Sequence, residues 1–149
     1  VRLERYSKAL YKNCSDKFLD GVKLIKNGER ICIIATGSMV YKAVEVAKKL
    51  KSMNIAVIDL YRIKPLNEKK LFEMMNKFEY IFTLEEHSII GGIGSSIAEF
   101  ILDKKISCKF KRIGFKENFC RKYGSREYLH SFLGLDVKNI INIIKSFVE

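Results

Sequence analysis

At 149 residues, with 48% hydrophobic and 30% charged residues and a single proline, the chain has the size and composition of one globular domain with a real core, which excludes disordered and fibrous classes. The net charge of +11 could serve an acidic partner, but the lysines are scattered over helix ends and polar helix faces, which reads as a solvated surface and not as a nucleic-acid groove. The longest apolar runs, 31–35 and 140–144, fall far short of the ~20 residues that cross a bilayer, no secretory pattern opens the chain, and Cys14, Cys32, Cys108 and Cys120 are too dispersed for a disulfide scaffold or a zinc site. The expectation is a cytoplasmic protein with no membrane or nucleic-acid partner and no metal of its own.

Strand-like and helix-like periods alternate from about residue 22, the pattern of βαβ units. Residues 22–25 and 31–35 read as short strands joined through Asn27 and Gly28, a pair that favours a hairpin turn, and Cys32 reads as a small core residue. A helix over 39–50, opened by Gly37 and capped by Ser38, carries Met39, Val40, Ala43, Val46, Ala47 and Leu50 at helical spacing. A buried strand over 55–60 follows; Lys64 and Pro65 end the extended segment, and Asn67 caps a helix reaching about residue 78. Then come a strand over 80–84, a polar glycine-rich loop over 85–94, a helix over 95–102 and a strand over 109–113. The last two helices, 125–132 and 136–148, are divided at Gly134. Residues 1–20 stand apart from this unit: 1–5 read as the last strand of something else and the rest as a linker, so an upstream domain is expected, on this polypeptide or on a separate one. The fold expected for 21–149 is α/β, a three-layer α/β/α sandwich around a mixed, mostly parallel five-stranded sheet.

Three segments carry chemistry-bearing residues. Thr36, Gly37 and Ser38 lead a strand into a helix whose amides could bind an anion, although an ordinary capped start explains the same residues. Gly91, Gly92 and Gly94 open the next helix as a dinucleotide-binding loop would, yet Ile97 stands where the third glycine belongs and the strand before it is a late one. Glu85, Glu86 and His87 lie at the carboxyl end of a strand, where open α/β sheets place ligands, but no nucleophile or metal partner accompanies them; His130 reads as a packed residue. Nucleophile-elbow, P-loop and zincin motifs are missing, so a self-contained hydrolase, nucleotidase or metalloprotease has no support.

The strings Ile34 to Val40, Arg62 to Asn67 and Thr83 to Ser95 (TLEEHSIIGGIGS), with Tyr123-Gly124-Ser125 and Gly134-Leu135-Asp136 in the tail, resemble the carboxy-terminal domain of transketolases and 1-deoxyxylulose-5-phosphate synthases. The resemblance implies a structural, dimer-forming piece of an enzyme that moves two-carbon ketol units between sugar phosphates. It implies thiamine diphosphate and Mg2+ in the complete enzyme, held between an N-terminal thiamine-diphosphate-binding domain and a pyrimidine-binding domain, with no catalytic, cofactor-binding or metal-binding residue on this chain. Arg5 matches the arginine that closes the pyrimidine-binding domain and contacts the substrate phosphate, a task suited to a planar guanidinium. Glu85, Glu86, His87, Gly91, Gly92 and Gly94 would form a loop facing the active site or an interface. A 1-deoxyxylulose-5-phosphate synthase and the β subunit of a 2-oxoacid dehydrogenase are the alternatives within the resemblance. Outside it stand a nucleotide-binding module and a regulatory interaction domain.

Overall fold

The computed structural model describes residues 18–116 and 121–149. Five strands form one sheet: β1 (Val22–Lys26), β2 (Ile31–Ala35), β3 (Ala56–Leu60), β4 (Tyr80–Ser88) and β5 (Lys109–Phe115), in the order β1-β3-β2-β4-β5. Only β1 runs antiparallel, against β3; the other pairs are parallel. The helices are α1 (Met39–Lys49), α2 (Glu68–Met75), α3 (Ile93–Asp103), α4 (Arg126–Phe132) and α5 (Val137–Val148).

The sequence explains the layering. Strands β2 and β3, ICIIA and AVIDL, are apolar along nearly their whole length and fully buried, as the central strands of a sheet covered on both faces must be. Alternate residues serve opposite faces: Ile33 and Phe82 pack with α1 and α5, while Cys32, Ile34 and Ile81 pack with the helices of the other side through Leu71, Met75 and Ile97. Helix α1 buries Met39, Val40, Ala43, Val46 and Ala47, a stripe set by helical spacing, and each large side chain so buried contributes about 1.5–3 kcal/mol. The three-layer α/β/α sandwich and the mixed five-stranded sheet are as expected.

Local chemistry sets the ends of several elements. Asn67 accepts from the Lys70 amide at 3.2 Å, Ser125 from the Tyr128 amide at 3.2 Å, and Asp136 from the amides of Lys138 and Asn139 at 3.0 and 3.2 Å, each satisfying an otherwise orphaned donor.

Three expectations need correction. The Asn27-Gly28 turn does not make a hairpin, because both edges of β2 are taken by β3 and β4, and β1 crosses to pair with β3 instead (Val22 with Leu60, Leu24 with Ile58). Gly28 is needed for close approach: a Cβ there would lie 2.2 Å from the Ala56 nitrogen and 2.4 Å from the Asn54 oxygen. Ser38 does not cap α1, for it already has helical angles and its hydroxyl is bonded elsewhere. Finally, β4 runs on to Ser88, so Glu85, Glu86 and His87 belong to a strand and not to a loop.

Candidate functional site

The carboxyl end of β4 carries a register irregularity. Leu84 pairs with Ile113 and Ser88 with Phe115, so Glu85, Glu86 and His87 together face the single Gly114. A Cβ on Gly114 would stand 2.9 Å from the His87 oxygen and 3.0 Å from Glu85 Cγ, so glycine gives the extra residues room. Such a bulge re-aims side chains at the end of a strand, where parallel sheets place their ligands.

Glu85 turns toward α3. Its Oε2 accepts from the Ile93 amide at 2.9 Å and its Oε1 from the Gly94 amide at 3.1 Å, and the residue is only 2% exposed. The negative end of a carboxylate thus sits on the positive N-terminus of the helix. Burial pushes its pKa up, and the two amides, with His87 and Arg112 behind them, pull it back only in part. Gly92 is required by the same contact, since a Cβ there would lie 1.9 Å from Glu85 Oε2. The loop between is fixed by Ser95, whose hydroxyl donates to the Ile89 oxygen at 3.2 Å and accepts from the Gly91 amide at 3.0 Å.

Glu86 turns to the opposite face and meets α1 and α4. Its Oε1 accepts from Arg126 Nε at 2.7 Å and lies 2.6 Å from His130 Nε2; its Oε2 accepts from Ser38 Oγ at 3.2 Å and from the Arg126 guanidinium. Arg126 also donates to Ser38. Lys42 donates to His130 Nδ1 and, at 2.9 Å, to the Leu135 oxygen. A lysine ammonium has only protons to give, so Nδ1 is the acceptor, Nε2 carries the proton to Glu86, and the imidazole is neutral. Burial lowers the His130 pKa, Lys42 pushes the same way, and the Glu86 bond opposes them without prevailing. Lys42 is likewise lowered, by burial first. For Glu86 burial pushes up, but the bonds from Arg126 and His130 outweigh it and bring the carboxyl down to about 2.

Both oxygens of Glu86 are saturated, and both ring nitrogens of His130 are engaged, so neither is free to exchange a proton with a substrate. The arrangement is a latch: the Glu86 carboxylate ties α4 to the start of α1 and the end of β4, and Lys42 ties the turn at Leu135 to α1. Of the residues singled out from the sequence, Glu85, Gly92 and Gly94 are joined in the α3 cap, and Glu86 belongs to the latch. His87 is exposed and joins neither, and Gly91 supplies a turn at φ +73°. Arg5 lies outside the described residues. Lys42 and Arg126 were not among the candidates, and His130 is packed as expected but is also hydrogen-bonded at both nitrogens. The available signal was spacing: Ser38 with Lys42 and Arg126 with His130 are polar pairs four apart at helix starts, each on one helix face.

A family model described as the C-terminal domain of transketolase matches residues 20–140. The 1-deoxy-D-xylulose-5-phosphate synthase of Vibrio vulnificus is 33% identical over 126 residues, covering 85% of this chain and 20% of the synthase. One of the subunits of the apulose-4-phosphate transketolase of Actinobacillus succinogenes is 29% identical over 149 residues, covering 98% of this chain and 48% of that subunit. Among solved structures, a split-gene transketolase described as an inactive beta4 tetramer superposes with a TM-score of 0.79 at 25% identity, covering 93% of this chain and 46% of that one. The chain therefore spans about a fifth of the synthase and about half of the transketolase subunit that it matches. With its fold, its motifs and its family match in agreement, the chain belongs to the transketolase C-terminal domain family.

Proposed function

We propose that this chain completes a thiamine-diphosphate-dependent enzyme that transfers two-carbon ketol units between sugar phosphates, acting as its structural carboxy-terminal part beside companion domains that hold the cofactor. The observation that carries the reading is the alignment to a transketolase subunit over 98% of the chain. The site fits such a role: Glu86 is spent on holding α4 in place, and α4 with the segment before it presents Tyr128 and Phe132 half exposed and Tyr123 at 96% exposure. Exposed aromatics of this kind mark surfaces that meet another protein.

Thiamine diphosphate and its divalent metal do not fit the described residues. The α3 amides that could cradle a diphosphate are bonded to Glu85, and the described residues include no group of three His, Cys, Asp or Glu able to hold a metal ion. We therefore assign the cofactor, and the ketol chemistry it supplies when bound, to the companion domains. Residues 1–20 as the end of a pyrimidine-binding domain plus linker, Arg5 as a substrate-phosphate contact and assembly as a homodimer belong to the same reading. The occupied α3 amides also argue against the nucleotide-binding module.

A 1-deoxyxylulose-5-phosphate synthase is the second reading, favoured by the 33% identity to the synthase of Vibrio vulnificus. The test is a ketol-transfer assay with thiamine diphosphate and Mg2+ on this chain alone and mixed with the chain carrying the companion domains. Sugar-phosphate transfer in the mixture alone supports the first reading, and formation of 1-deoxy-D-xylulose 5-phosphate supports the second. A mixture inactive in both assays would sink both.

A further inference from the structure

A groove of about 340 Å³ lies between α3 and the turn that leads into α2. Ile63, Leu66 and Phe100 give it apolar walls, and Ser96, Glu99 and Asp103 line it along one stripe of α3. Glu68 and Lys104, at its rim, hold each other at 2.7 Å, and Lys64 is the remaining cation of the lining. Glu99 and Asp103 are exposed, and neither forms an ion pair among the described residues. Two like charges four residues apart weaken a helix, and Asp103 stands in the last turn of α3, where the helix dipole disfavours an anion. In a chain of net charge +11, an uncompensated acidic stripe beside apolar walls calls for a cationic occupant.

The chain itself supplies one nearby. Because β1 runs antiparallel to β3, residues before Val22 travel beside residues after Leu60, and the Arg62 amide continues that pairing by donating to the Gly21 oxygen at 3.0 Å. Phe18 sets its ring edge-on to Tyr61 with 5.5 Å between centroids, and Asp20 lies 3.7 Å from Lys70. Phe18 is thus delivered beside residues 63–68, which wall the groove. Upstream of it stand Lys8 and Lys12, spaced four apart like Glu99 and Asp103, and the stretch from Lys12 to Phe18 reaches up to about 20 Å. We propose that residues 6–17 of this chain lie in the groove, with the Lys8 and Lys12 ammonium groups against the Glu99 and Asp103 carboxylates. Residues four apart share a face in a helix and in a strand alike. That face also carries Tyr11 in a helix and Leu10 in a strand, so either form brings an apolar side chain to Ile63 and Leu66. Nothing in this docking depends on the reaction proposed above: it gives a seat to the linker of that reading, and a failed ketol-transfer assay leaves it standing.

The test is chymotrypsin cleavage of the full chain after Tyr6, Leu10 and Tyr11, read by mass spectrometry. Each rate is divided by that of the matching synthetic 6–17 peptide, which removes the intrinsic effect of a substitution on cleavage. Docking protects these bonds in wild type, and the double variant Glu99→Lys, Asp103→Lys should cleave about tenfold faster, since two exposed charge pairs are each reversed. Adding Lys8→Glu and Lys12→Glu to that variant recreates both pairs with their signs exchanged and should return the rate to the wild-type value. Glu29→Lys, exposed in the turn before β2, should cleave as wild type does. Equal rates in wild type and the double variant overturn the proposal. Acceleration that the fourfold variant fails to reverse also overturns it, because the lysines are then not the partners of the acidic stripe. Acceleration that Glu29→Lys reproduces does the same, by showing that net charge alone matters. Protection that rises with chain concentration overturns it as well, by placing the segment in the groove of a second copy.

Discussion

Glu85 and Glu86 are neighbours in the chain and opposites in the fold. Strand alternation sends Glu85 to the α3 side, where it is buried and held by two backbone amides, and Glu86 to the α1 and α4 side, where it is held by side chains. Amides carry partial charges and cannot be lost by side-chain mutation, so the first carboxylate is kept by the backbone path and its pKa still rises. The partners of Glu86 include a full positive charge, and its pKa falls to about 2. Adjacent residues of one type thus do different work: Glu85 fixes the shape of a loop, and Glu86 fixes the position of a helix.

The largest effect expected from breaking this comparison is at Gly92. Gly92→Ala places a methyl group 1.9 Å from Glu85 Oε2, so the carboxylate must leave the α3 amides. The loss should be about 3 kcal/mol of unfolding free energy by urea titration, from charged hydrogen bonds lost in a tightly packed loop. Gly91→Ala provides the contrast. Its Cβ meets nothing within 4 Å but its φ is +73°, so the cost should be about 1 kcal/mol, from backbone strain alone. Equal costs at the two positions would show that the Glu85 contact carries nothing.

Next in size is Glu86→Gln, which leaves Arg126 facing a neutral amide. About 2 kcal/mol should be lost in the same titration, with proteolytic cleavage around α4 rising before global unfolding. If the amides near α4 exchange no faster than in wild type, the latch is not what holds that helix.

The pH dependence of stability sharpens the contrast further. His130, lowered in the folded state, takes up a proton more readily when unfolded, so its contribution is complete above its ordinary value of ~6.5 and is lost as pH falls below it toward the folded value. Glu86 contributes above the ordinary carboxylate value of ~4.3 and loses that contribution as pH falls to about 2. Glu85, raised by burial, acts in the reverse sense, its ionisation costing stability as pH rises past ~4.3. The stability difference between wild type and His130→Gln should therefore change between neutral pH and about pH 5 in the sense that wild type loses its advantage as pH falls, a comparison in which the opposing contribution of Glu85 is common to both. Lys42, Glu86 and Arg126 all face this imidazole and set the size of the slope. The smallest effect belongs to His87→Ala, exposed and outside both clusters, which should change stability by no more than about 0.5 kcal/mol.

Much of the architecture was legible because it depends on local chemistry. Apolar runs gave the five strands, helical spacing gave α1, the break at Gly134 divided α4 from α5, and Asn67, Ser125 and Asp136 cap as their residue types suggest. The hairpin expected at Asn27-Gly28 was wrong because turn propensity says nothing about whether the neighbouring strand has a free edge. The loop expected over 85–94 was wrong at its start because three polar residues look like a loop until β5 and Gly114 give them a bulge to occupy.

By itself the sequence determined the α/β class, the family and the importance of the EEHSIIGGIG segment, since each is written in periodicity or contiguous motif. Only the tertiary structure decided that Glu85 serves α3 while Glu86 gathers Ser38, Arg126 and His130, with Lys42 behind the imidazole, from distant parts of the chain. The reason is physical: which face a side chain takes is fixed by strand pairing, and which distant cation meets it is fixed by how helices pack on that face, neither of which any local stretch of chain can specify.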